Sequence, residues 1–106
     1  MQNNEMTYLP VEQLHLRAKS LVAKFEQGGG TSNIDEAIDL GREALELCPP
    51  SPPKRAVSLT RLALHLSSRY SQLGATGDLD EATVLNREAL DLCLQGHPDL
   101  LTSNNL

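Results

Sequence analysis

Residues 35–48, DEAIDLGREALELC, return 45 positions later as residues 80–93, DEATVLNREALDLC. The same offset pairs Leu14 with Leu59, Ala18 with Ala63, Leu21 with Leu66, Phe25 with Tyr70 and Gln27 with Gln72. The correspondence therefore runs through both copies of a long unit and is an internal repeat, not a shared short motif. A repeat of this kind restricts the fold severely, because each copy must form the same supersecondary unit and bury its apolar face against a neighbour.

Each unit has a long apolar-periodic segment, a Gly-rich break, a shorter acidic amphipathic segment and a Pro-rich break. In the first, Pro10 suits the opening position of a helix whose stripe is Val11, Leu14, Ala18, Leu21 and Phe25, stopped by Gly28, Gly29 and Gly30. In the second, Pro52 and Pro53 open a helix with the stripe Leu59, Leu62, Ala63, Leu66, Tyr70 and Leu73, followed by Gly74 as its C-cap. Val57 and Leu64 lie well off that stripe, so this helix is expected to bury two faces. We call these long segments the A helices.

The shorter B helices begin at NIDE and DLDE, where Asn33 and Asp78 are placed to cap and Glu36 and Glu81 to complete a capping box. One face of the first is Ile34, Ala37, Ile38, Ala44, Leu45 and Cys48, matched in the second by Leu79, Ala82, Ala89, Leu90 and Cys93. Leu40 with Leu47, and Leu85 with Leu92, add a second ridge. Gly41, at the position of Asn86, costs about 1 kcal/mol of helix propensity, and its small size permits close helix approach. Four helices with no strand pattern place the chain in the all-α class, built of antiparallel helical hairpins.

A chain of 106 residues makes one domain that buries roughly two thirds of its unfolded surface. Aromatics at 3% with no Trp leave its core to Leu, Ala, Val and Ile. A net charge of −5 argues against nucleic acid and acidic membrane, both of which need an excess of Lys and Arg. The first ten residues carry no basic then apolar leader pattern, and no run of about 18 apolar residues occurs. The expectation is a cytoplasmic protein whose two cysteines are free thiols.

Ala37, Ala44 and Pro49, spaced by seven and five, together with Ala82 and Ala89, resemble the second helix of a tetratricopeptide repeat. The long period is similar to that of the extended repeats in kinesin light chains and large fungal tetratricopeptide arrays. REAL at residues 42–45 and 87–90, GHPD at 96–99 and NNL at 104–106 resemble the phrases of those repeats. The resemblance covers about residues 11–106. It implies helix-turn-helix pairs stacked into a right-handed superhelix that binds protein segments. The first turn departs from the pattern, reading PPSPPK instead of GHPD. The organisation expected is a tail at 1–9, repeat 1 at 10–51, repeat 2 at 52–96, and the start of a shortened third unit or a tail at 97–106.

Catalysis finds no constellation here. Cys48 and Cys93 share one apolar-face position and are expected as core residues without redox or metal partners. Arg42 with Glu43, and Arg87 with Glu88, are helix neighbours pointing about 100° apart and cannot converge on one substrate. His15, His65 and His97 form no metal spacing and are expected at the surface or in turns. No phosphate loop and no GxSxG occur. Neither an enzyme nor a cofactor is expected.

The charge is unevenly divided. Residues 11–27 sum to +1 and 54–73 to +4, whereas 34–48 and 78–93 each sum to −4. Arrays of the resembled family line their concave groove with A helices, which here implies a basic groove for an acidic peptide or a C-terminal carboxylate. Its candidate residues are Lys24, Gln27, Arg61, His65, Arg69 and Gln72. The competing explanation is that basic A helices complement their acidic B neighbours. A structural rival to peptide binding is homo-oligomerisation through exposed repeat ends, because arrays ordinarily need three or more repeats.

Overall fold

The structure, a computed structural model, describes residues 3–96, with side chains from Val11 to Gln95. It consists of α1 (Asn3–Glu26), α2 (Thr31–Leu47), α3 (Pro52–Leu73) and α4 (Thr76–Gly96), with no strand among the described residues. The all-α class holds. Ion pairs fix how the helices run. Arg55 at the start of α3 meets Glu88 far along α4, and Arg69 at the end of α3 meets Asp78 at the start of α4. The two helices are therefore antiparallel.

Both A helices end as glycine dictates. After α1, Gly28 takes φ 98°, its N–H bonds the Phe25 carbonyl, and the Gly29 N–H bonds the Lys24 carbonyl at 2.9 Å. That pair of bonds is a Schellman motif, which a residue without Cβ forms without strain. After α3, Gly74 takes φ 74° and donates to the Tyr70 carbonyl at 2.7 Å.

Helix starts differ from the sequence expectation. α1 begins at Asn3, so Pro10 lies within the helix and not at its first turn. α2 is preceded by Gly30 as N-cap without a side-chain cap bond, which puts Asn33 inside the first turn. α4 begins at Thr76, and the carboxylate of Asp78 is taken by Arg69. Neither capping box forms. Pro52 and Pro53 do open α3. The GHPD and NNL phrases and His97 fall mainly or wholly outside the described residues.

Small residues set the spacing of the helices. The repeat-matched pairs Ala18 with Ala63, Ala37 with Ala82, and Ala44 with Ala89 are all buried. All but Ala44 belong to the clusters of Phe25, Ile34, Ile38, Leu59, Leu62 and Leu66, and Leu45 and Leu85 join the two parts of the core. A Cβ on Gly41 would lie 3.1 Å from Leu62 Cδ1 and 3.3 Å from His65 Cδ2, so α3 approaches α2 through that glycine. Asn86 is exposed because α4 has no helix after it among those described.

The same asymmetry corrects several burial expectations. Val57 (49% exposed) and Leu64 (62%) are open, so α3 buries one broad face and not two. Leu47, Leu73, Leu79 and Leu90 are also exposed. Cys48 is half-buried and Cys93 exposed; both are free, and neither fills the core. No helix of the described residues is long and apolar enough to cross a membrane.

Candidate partner-binding face

Arg69 shows how the charge is used. Its Nε and Nη2 each donate to one carboxylate oxygen of Asp78 at 2.7 Å, and its Nη1 donates to Asp35 at 2.8 Å. One guanidinium thus ties α3 to α4 and to α2. The hydrogen bonds raise its already high pKa and hold Asp78, itself buried, below the usual carboxylate range. Arg17 with Glu36 and Arg55 with Glu88 likewise join A to B helices, while Arg42 and Glu81 join the two B helices. Much of the A-helix charge therefore complements the B helices, and Arg69 is removed from the groove.

What remains is Arg61. It has no ion pair among the described residues and lines two clefts that meet along α3. One, of about 450 Å³, lies between α1 and α3 and is walled by Lys19, Val22, Ala23, Glu26, Leu64 and His65. The other, of about 540 Å³, adds Pro53, Ala56, Val57, Thr60 and Cys93. Val57, Arg61 and Leu64 recur at spacings of four and three and present one open face of α3. Lys19 supplies a second cation without an ion pair from α1. Glu26, the acid in this cleft, accepts a 2.9 Å hydrogen bond from Ser68.

Of the candidates read from the sequence, Arg61 and His65 come together here. Lys24, Gln27 and Gln72 are exposed but line neither cleft. His65 is a wall rather than a tip, only 8% exposed. His15 (7% exposed) is buried as well, its Nε2 3.1 Å from Ser58 Oγ. Both histidines belong to the packed seam of the A helices and not to surface or turns. Burial pushes His65 down to about 4, assisted by His15 and Arg61, and lowers His15 too; Arg61 reinforces that shift and Glu12 opposes it. Both rings are neutral at physiological pH, so the positive charge of the face comes from Lys19 and Arg61.

Lys19, Val57 and Leu64 line these clefts without being among the candidates read from the sequence. Their signal was present in the off-stripe positions of Val57 and Leu64, which periodicity alone assigns to a second buried face. No His, Cys, Asp and Glu group suited to a metal ion occurs among the described residues. No protein-family model, curated protein or solved structure matches the chain.

Proposed function

We propose that the chain is a non-catalytic protein-interaction module of tetratricopeptide-like build that binds a protein segment on its A-helix face. The observation that carries this is the open α3 ridge of Val57, Arg61 and Leu64, flanked by Lys19, running along two adjoining clefts. Apolar side chains left open beside unpaired cations suit an acidic segment with at least one large apolar residue. The apolar residue enters between α1 and α3 against Val22 and Leu64. A flanking carboxylate takes the Arg61 fork, with Lys19 as a second charge. The free cysteines accord with a cytoplasmic setting.

The test is a panel of fluorescent peptides combining one Leu with flanking Asp and Glu, measured by polarisation. At least one should bind in a salt-sensitive way. Arg61→Glu with Lys19→Glu should weaken it by about tenfold or more, with helicity unchanged by circular dichroism. No binding by any peptide, or an affinity that ignores both reversals, would remove this reading.

A further inference from the structure

The junction between the two hairpins can be read as a set of contacts, and the repeat then shows which of them the ends of the molecule offer. On α2 the stripe Ile34, Ile38, Gly41, Leu45 and Cys48 lies toward α3. Ile34 and Ile38 share a core cluster with Leu62 and Leu66, Gly41 meets Leu62 and His65, and Leu45 packs in the cluster of Leu59. Two ion pairs flank the stripe, Asp35 with Arg69 and Arg42 with Glu81.

On α4 the matched stripe is Leu79, Thr83, Asn86, Leu90 and Cys93, and all five are exposed, Leu79 by 43% and Leu90 by 57%. Asp80 and Arg87, at the positions of Asp35 and Arg42, are exposed and make no ion pair among the described residues. At the opposite end, Lys24 and Glu36 occupy the positions of Arg69 and Glu81, and both are exposed. Arg17 and Ser20 stand where α3 has Leu62 and His65. On α1 a charged group thus stands in place of Leu62 and a small hydroxyl in place of His65, just where Asn86 replaces Gly41 on α4. Leu14 and Leu21, matching Leu59 and Leu66, remain half-buried.

We infer that the α4 end binds the α1–α2 end of a second copy, head to tail, as α3–α4 sits on α1–α2 within one chain. Lys24 of the next copy meets Asp80, Glu36 of the next copy meets Arg87, and its Arg17 and Ser20 lie over Asn86. Leu79 and Leu90 take cover against Leu14 and Leu21. Such a contact is heterologous, so it grows into a concentration-dependent ladder and not a closed dimer. Of the α4 stripe, Cys93 alone also lines a cleft with Arg61, and the contact goes beyond the peptide-binding reading.

Sedimentation velocity from micromolar to millimolar concentration tests it. The weight-average mass should rise steadily and fall back in high salt. Asp80→Lys with Arg87→Glu, and separately Lys24→Glu with Glu36→Lys, should each weaken association by about tenfold or more. An equimolar mixture of the two proteins should restore it, because the reversed ends complement each other. Should the second variant lose helicity by releasing Arg17, the first decides alone, since Asp80 and Arg87 make no ion pair among the described residues. A wild-type chain that stays monomeric at millimolar concentration would overturn the proposal, as it would if residues 97–106 or another protein cover α4 instead. Association that ignores the reversals, or fails to return on mixing folded variants, would overturn it equally.

Discussion

Arg69 and Arg61 lie two helical turns apart on one helix and do opposite work. Arg69 is drawn in by two aspartates, one of them buried; removing it strands Asp78 with its charge uncompensated. Arg69→Ala should therefore lower stability by about 2–3 kcal/mol in urea unfolding, whereas Arg61→Ala should stay within about 0.5 kcal/mol. The seam histidines give a second expectation at this scale. Their folded pKa values are depressed, so the unfolded chain takes up protons first. Stability should be full above about pH 6.5 and fall toward pH 4, by roughly 2 kcal/mol for His65. The carboxylates held by Arg69 and Arg42 add their loss at lower pH, below about 4. Thermal melts of wild type and His65→Gln across this range check it; the variant should lose most of the slope between pH 6.5 and 4. None of this was legible from the letters His and Arg alone. Their roles depend on which faces meet, which a helical period gives only to within a face.

At the scale of elements, much was legible. Proline pairs and glycines are strong local punctuation, and α3 begins and ends where Pro52 and Gly74 place it. The capping boxes failed because a cap is a competition. Asp78 had the right chemistry for an N-cap, but a guanidinium nearby is a better partner than a backbone N–H. Gly41 was legible as a close approach, and Asn86 at its matched position obscured it only until α4 was seen to end the described stack. That contrast can be measured. Gly41→Leu should destabilise by about 2 kcal/mol, since its side chain would drive into Leu62 and His65. Asn86→Leu should cost nothing or add slightly, because Asn86 is exposed among the described residues and Leu favours the helix. Equal effects in urea titrations would contradict the assignment of a packed and an open copy.

At the largest scale the described helices form a slab with Cα extents of 48 × 41 × 19 Å, about two helices thick. Charge at this scale was half legible. The sequence showed basic A helices and acidic B helices, and the ion pairs between them supply the complementary-charge explanation of that pattern. Arg17, Arg55 and Arg69 serve the B helices, while Lys19 and Arg61 remain with the open clefts. A residue's share between the two depends on tertiary neighbours that a net sum conceals. On the proposed function, binding belongs to the A-helix face and cohesion to the B-helix contacts. An isotope-labelled sample titrated with an acidic Leu-containing peptide tests this most directly by NMR. The expected result is that shift changes gather on Lys19, Val22, Val57, Arg61 and Leu64. Changes gathered on the exposed acids of α2 and α4, with the α1–α3 clefts silent, would contradict it.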